Sequence, residues 1–360
     1  MIRLMIALII SSIFFSKAYA LDQTMFLIAQ PRTLAMGGAG VGLADDEYAL
    51  FQNPAGLAGL EERGFRPVAV GIEGSLDTYA SLGSIMALSG NLSISALNTF
   101  MGKDIAFRAD EVPMIMLPHF ALAYIFDTQF SLNQYNRVNP TFNLGSMITH
   151  GVQGGTSWSF KEGRHPTDEF RVGVAFKFLF RKGAYNTIGT AGLLQASGDG
   201  VGYLKGLVGN FGVGLGGDVG VQYIKKLDTT TTVSLGSSIT DVGGTHFTAS
   251  TAMPIPMVWS TGLGYKKEMS ESLKVSYGLD MRDILLDTAL SNKIYTGGEI
   301  SLGMLDLYAG LNQLSPTYGV GFDAWLLKIM LLSYAEQLGP AYGQQSSRRD
   351  MIQINFNMPI

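Results

Sequence analysis

From Gly64 onward the chain alternates between apolar and small or polar positions. Phe170, Val172, Val174, Phe176, Phe178 and Phe180 share one parity, while Arg171, Gly173, Ala175, Lys177 and Arg181 share the other. A strand turns successive side chains to opposite faces, so these residues give one greasy face and one polar face. The same division recurs downstream. Val213, Leu215, Val219 and Val221 oppose Gly212, Gly214, Gly216, Asp218, Gly220 and Gln222; Leu273, Val275, Tyr277, Leu279 and Met281 oppose Lys274, Ser276, Gly278, Asp280 and Arg282. Leu305, Leu307, Ala309 and Leu311 oppose Asp306, Tyr308, Gly310 and Asn312. Charges keep to one parity throughout. A soluble sandwich also alternates, but it turns its apolar faces toward a shared core. Here a ring of strands would hold Arg, Lys and Asp inside and Phe outside, which is the pattern of a transmembrane barrel.

The pattern predicts strands near 64–73, 117–126, 129–138, 142–158, 169–181, 211–225, 230–240, 255–266, 272–282, 293–302, 304–312, 316–324, 326–335 and 348–357. The fold class is therefore all-β: a transmembrane antiparallel β-barrel of about fourteen strands. Twelve is the alternative, because predicted boundaries slip by about two to four residues. Ile352, Ile354 and Phe356 alternate with Gln353, Asn355 and Asn357 and read as a closing strand. The 326–336 strand is apolar on both faces, which predicts a partly apolar lumen. Two stretches, Leu76 to Met101 and Thr187 to Gly209, break the alternation and are expected as short helical inserts folded into the lumen or against the rim. Trp158, Trp259, Tyr265, Tyr295 and Trp325 lie near strand ends and read as an interfacial girdle.

The segment before the strands is different in kind. Glycines at 37, 38, 40 and 42 permit tight backbone, a helix-permissive run ends at Ala49-Leu50-Phe51, and Asn53-Pro54 stops it. This describes a compact plug. The glycine spacing does not fit G-x-G-x-x-G and no apolar strand precedes it, which sets a phosphate loop aside.

Composition narrows the class further. Met1 to Ala20 carries an early arginine, an apolar run from Leu4 to Phe15 and Ala18-Tyr19-Ala20 as a cleavage signal, which together read as a secretory signal peptide. The domains expected are thus 1–20 signal peptide, 21–60 plug and 61–360 barrel. There is no cysteine among the 360 residues, so disulfides and thiol chemistry are excluded. Past residue 20 the chain holds 23 basic and 29 acidic residues, a balance that does not suit nucleic acid. It has 45 glycines, 11% aromatic and 15% charged residues, but no apolar stretch long enough for a membrane helix. A closed sheet is the other structure that satisfies every backbone group in lipid.

The order Arg32, small-Gly37-Gly38-Ala39, a small-residue run, Asp45-Asp46, then Asn53-Pro54-Ala55 resembles the N-terminal hatch of FadL-type fatty-acid channels and related PorV-type outer-membrane proteins. The C-terminal half, with Asp218-Val219-Gly220, Asp241-Val242-Gly243 and Leu307 to Asn312, is closer to the PorV-like branch. The resemblance implies a hatch built on Arg32, Gly37, Gly38, Asp45, Asp46, Asn53, Pro54 and Ala55. It implies delivery by barrel assembly machinery to the outer membrane of a Gram-negative-type bacterium, with outer-membrane lipid as surroundings. Two functions follow from it as expectations. One is hatch-gated passage of a hydrophobic or amphipathic small ligand. The other is a sealed structural or shuttle component of a protein secretion or surface-attachment system, with a secretion-system protein as partner.

Enzymatic chemistry finds no foothold. His119, His150, His165 and His246 fit no metal spacing, and no G-x-S-x-G elbow occurs. No cofactor is expected. The polar residues placed in the lumen by parity are Arg171, Lys177, Asp218, Lys274, Asp280, Arg282, Asp306 and Asp323. A salt-bridge and hydrogen-bond network that keeps the interior satisfied is their simplest role.

Overall fold

The computed structural model describes residues 27–61, 63–84, 99–134, 141–161, 167–189, 192, 206–285, 288–337, 343 and 346–359. The signal peptide expected at 1–20 lies outside these. The strands, in chain order, are β1 (Gly64–Ser75), β2 (Asp104–Glu111), β3 (Met114–Leu117), β4 (Phe120–Gln134), β5 (Phe142–Lys161), β6 (Asp168–Ile188), β7 (Gly212–Lys226) and β8 (Thr231–Thr240). They continue as β9 (Val258–Ser270), β10 (Leu273–Met281), β11 (Ile294–Leu302), β12 (Leu305–Asn312), β13 (Ser315–Ala324), β14 (Leu327–Gln337) and β15 (Ser346–Pro359). All the pairings are antiparallel, from β4 onward each strand pairs with the next along the chain, and β15 pairs back onto β1, closing the ring. Closure leaves no edge strand, as lipid requires.

β2 and β3 both pair with β1 on one side and β4 on the other, so they are two halves of a single interrupted strand. The barrel therefore has fourteen staves. The interruption falls at Val112-Pro113, where proline has no amide hydrogen to give the ladder. Opposite it, the register between β1 and β15 slips between Phe65 and Val68, across Pro67.

The count matches the expectation, but the partition differs. The predicted strands 117–126 and 129–138 are one strand, β4, running through Phe126-Asp127-Thr128 without a turn. The stave made of β2 and β3 lies between the insert expected at 76–101 and the strand expected at 117–126, where the pattern predicts no strand. Of that insert, Leu76–Ala80 is a short helix capped by Ser75, and Phe100 is buried against Ile105, Leu132, Phe142, Leu144 and Ile188. Among the described part of 187–209, Leu207 packs on the same cluster.

Alternation decides which way each residue points. Phe176 and Leu215 are 72% and 71% exposed on the outer wall, whereas Lys177 and Asp218 are almost wholly enclosed. The exposed face is a belt of Phe, Leu, Ile and Val around a polar interior, the architecture of an outer-membrane barrel. No helix among the described residues is long and apolar enough to cross a membrane. One rim carries tight connections, such as Ser270 to Leu273, Leu302 to Leu305 and Ala324 to Leu327, and both ends of the sheet; most connections on the other rim are longer. Bacterial barrels place short turns on the periplasmic side, which orients this one.

Candidate functional site

The lumen is filled by the segment from Leu27 to Gly59, nearly all of it buried. It has little regular structure: a helical turn at Pro31–Ala35 with proline in its first turn, a second at Ala49–Gln52 and a 3-10 turn at Pro54–Gly59. Backbone groups left unpaired by so irregular a path must find partners elsewhere. The barrel wall supplies them. Asp280 accepts from the amides of Gly40 and Val41, both at 2.7 Å. Gln222 donates to the carbonyls of Gly42 and Ala44, Ser234 to Gly42, Arg282 to Gly38 and Thr317 to Ala35.

The wall also makes room for this path. On each of eight consecutive strands, β6 to β13, at least one inward glycine lies where the hatch touches the wall. Gly173 faces Pro54, Gly220 faces Asn53, Gly236 faces Val41 and Gly264 faces Gly42-Leu43. Gly278 faces Ala39, Gly297 faces Met36, Gly310 faces Gly37 and Gly319 faces Ala35. A Cβ on Gly310 would stand 2.6 Å from the Gly37 nitrogen, and one on Gly319 would stand 2.9 Å from the Ala35 Cβ. The hatch is thus fitted to this half of the wall backbone against backbone.

The predicted hatch residues meet at two knots. In the first, Arg32 donates to Asp45 (2.8 Å), Asp46 (3.1 Å) and, through two nitrogens, to Glu299 on β11 (2.6 and 3.1 Å). Lys266 closes the knot from β9 through Asp45, and Glu47 pairs with Arg66 of β1. Burial pushes the Glu47 carboxyl up, but the Arg66 charge and hydrogen bond outweigh it and hold the group below its ordinary value. At Asp46 burial wins over Arg32, and the carboxyl is raised. In the second knot Asn53, fully enclosed, accepts from the Ala55 amide (3.3 Å) and donates to the carbonyls of Val41 (3.1 Å) and Val221 (3.2 Å). It joins the middle of the hatch, its end and the wall. Gly37 and Gly38 adopt φ of +67° and +84°, with Gly38 under the Tyr295 ring.

That placement corrects one expectation. Tyr295 is no girdle residue: it is buried at 2% exposure, and its hydroxyl donates to Asp283. Trp158, Trp259, Tyr265 and Trp325 are exposed. The apolar inner face of β14 is also occupied, because Met330, Leu332 and Tyr334 pack on Ala29, Leu34, Ala35 and Met36.

The polar lumenal residues fall into separate groups. Lys177 sits between Asp218 and Asp241, 2.9 Å from each, and so ties β6 and β7 to the 241–257 connection. That connection folds inward, bridging Thr245 to Ile255, and Arg181 donates to its Met253 carbonyl. Asp280 and Arg282 hold the hatch as described. Arg171 pairs with Glu169 (2.6 Å) near Gly59. Lys274, Asp306 and Asp323 line a charged vestibule of about 590 Å³ at the tight-turn mouth, together with Arg32, Glu299 and Lys328. Deeper, Gln30, Gln52 and Gln153 converge on a cavity of about 40 Å³, each with a buried amide atom lacking a protein partner, which is room for water. Among the described residues no cluster of His, Asp or Glu could hold a metal ion.

Several participants were not picked out from sequence. Glu299, Lys266, Arg66 and Gln222 complete the hatch contacts, and Arg108 pairs with Asp127 (2.7 Å) deeper in the lumen. Glu299 and Gln222 keep the inward parity of their strands, so alternation carries the signal for them. Which of many inward polar residues meets Arg32 does not follow from parity.

No family model matches the chain, and no curated protein matches it. Among solved structures, similar ones include the CymD monoaromatic hydrocarbon channel, at 13% identity, TM-score 0.49, covering 93% of this chain and 98% of that one. The toluene transporter TbuX of Ralstonia pickettii gives 12%, 0.47, 92% and 98%. A Pseudomonas aeruginosa FadL homologue gives 12%, 0.32, 93% and 100%.

Proposed function

We propose that this outer-membrane barrel passes hydrophobic or amphipathic small molecules along one side of a hatch that closes its lumen. The observation that carries this reading is the asymmetry of the seam between hatch and wall. From β6 to β13 the seam is backbone seated on glycine and cross-linked by hydrogen bonds. From β1 to β4 it is mainly apolar: Ala69, Val112, Met114, Ala121, Ala123 and Ile125 share one cluster with Leu27, Ile28, Leu50 and Leu57, crossed by the Arg66–Glu47 pair and by an Arg108 hydrogen bond to the Leu27 carbonyl. Apolar contacts are non-directional and can be exchanged for a greasy ligand without orphaning polar groups. The wall breaks at Pro67 and Pro113 fall in this same sector. Uptake of a small hydrophobic dye into liposomes holding the protein tests the reading. Ala123→Phe, which thickens the apolar seam, should slow uptake while the barrel keeps its heat-modifiable migration. Uptake by wild type no faster than by empty liposomes would sink it.

The continuous seating over β6 to β13 favours a second reading. A lumen sealed for good would leave function to the outer loops and to a partner of a secretion or attachment system. Capture of such a partner together with dye-tight liposomes would establish it.

A further inference from the structure

On the outer wall, between β7 and β10 and toward the tight-turn rim, lies a concavity of about 390 Å³. Tyr223, Leu235, Leu263, Tyr265 and Tyr277 line it, with Lys225 at one margin. Register explains its shape. One row across the wall reads Tyr223, Leu235, Leu263, Leu279; the next, nearer the rim, reads Lys225, Val233, Tyr265, Tyr277. Leu235 and Val233 on β8 are shorter than the tyrosines flanking them, so β8 forms the floor of a trough. One row further toward the rim, Lys267 stands on the same face of β9 as Tyr265, opposite Thr231 of β8 and Val275 of β10.

Lys225 and Lys267 thus flank β8 from either side, two strand spacings or roughly 10 Å apart across the wall. Neither makes an ion pair among the described residues. Asp168, the neighbour of Lys225 on β6, is engaged by the hydroxyls of Tyr223 (2.9 Å) and Thr167 (3.2 Å). An apolar trough ringed by tyrosines, with two cations at its rim-side end, matches a molecule with a long hydrocarbon tail and an anionic head. The rim is the periplasmic one, where tyrosines and lysines sit at headgroup depth. We propose that this trough is a binding site for an anionic glycerophospholipid of the periplasm-facing leaflet, one acyl chain in the trough and the phosphodiester between Lys225 and Lys267. A second copy of the chain is the poorer occupant, since a two-fold contact would set the same lysines against each other.

The full chain is folded into mixed micelles holding equal amounts of phosphatidylglycerol and phosphatidylethanolamine with matched acyl chains, and the lipid it retains is measured by native mass spectrometry. Wild type should enrich phosphatidylglycerol about thirty-fold, since each of the two lysines near an anionic headgroup is worth about 1 kcal/mol. The Lys225→Gln, Lys267→Gln double variant should retain the two lipids equally and keep its heat-modifiable migration. Leu235→Trp, which fills the trough, should retain neither; should it fail to fold, the lysine variant decides alone. No preference in wild type, an undiminished preference in the double variant, or a trough protected only in dimers would overturn the assignment.

Discussion

Arg32 is the residue on which the hatch closes on itself. It serves three carboxylates at once, and its planar fork reaches Glu299 through two nitrogens, a geometry an ammonium cannot copy. Arg32→Ala leaves Asp45, Asp46 and Glu299 facing one another. Breaking such a pair costs about 3–5 kcal/mol when fully buried, and this one, opening on the vestibule, should fall at or below the lower end. Limited proteolysis should cut the hatch sooner in Arg32→Ala, and Arg32→Lys should only partly restore protection. Glu47 adds a pH dependence of known sign. Its folded value lies below its ordinary 4.5, so its contribution is complete above that pH and is lost as pH falls through the lower folded value. Asp46, raised by burial, works the other way, its contribution weakening as pH rises above 3.8. Protection of hatch amides, relative to their intrinsic exchange rates, should therefore fall as the pH drops below 4.5, and Glu47→Gln should flatten that acid limb. An identical limb in the variant would assign the effect to other carboxylates. Lys177 teaches a related lesson. Parity alone marks Lys177→Arg as mild, but a lysine held 2.9 Å from two buried carboxylates presents a compact charge that a longer, planar guanidinium does not reproduce. The change should destabilise the barrel measurably, and Val174→Arg on the lipid face should cost about 2–4 kcal/mol if that residue lies near the midplane.

Among the strands, the seating glycines make the sharpest contrast. Gly310→Ala drives a Cβ into the Gly37 backbone, whereas a Cβ on Gly217 of β7 meets nothing nearer than 3.6 Å. Gly310→Ala should free the hatch for proteolysis while the barrel still forms, and Gly217→Ala should be silent in both measurements. Equal behaviour would mean that the hatch shifts to absorb the methyl. Alternation made the outward faces legible because lipid favours apolar residues there, and charge kept to the other parity away from rim residues such as Lys225 and Lys267 marked the inside. The stave formed by β2 and β3 was not legible, because Pro113 cuts it and Arg108, Asp110 and Glu111 crowd its middle. β4 read as two strands since Asp127-Thr128-Gln129 resembles a turn, although Asp127 points inward to Arg108. The hatch motif named Arg32, Asp45, Asp46 and Asn53 as a group. The wall residues that receive them come from strands more than a hundred residues away, and only closure of the sheet brings those together.

The barrel as a whole sets two demands against each other: a lumen in which the hatch is seated on wall glycines on one side, and a mainly apolar seam under an interrupted wall on the other. If the seam is a path, the hatch need not leave; it must only yield toward β1 to β4. Asn53 and Pro54 sit on the seated side, against Gly220 and Gly173, and Asn53 ties the hatch to Val221. Replacing both by alanine removes those hydrogen bonds and leaves the buried Val41 carbonyl short of a partner, at about 1–3 kcal/mol, while Val221 keeps its place in the ladders of β7. Strand pairing does not depend on either residue, so heat-modifiable migration should persist. A seated side loosened in this way lets the hatch drift, and dye should enter liposomes faster than with wild type, whereas Ala123→Phe should slow it. In a sealed barrel that serves a partner, the same double substitution would leave dye entry unchanged and weaken partner capture instead. The two substitutions act on opposite sides of one hatch. A path along the apolar seam therefore predicts opposite shifts in uptake, and two shifts of the same sign would reject it.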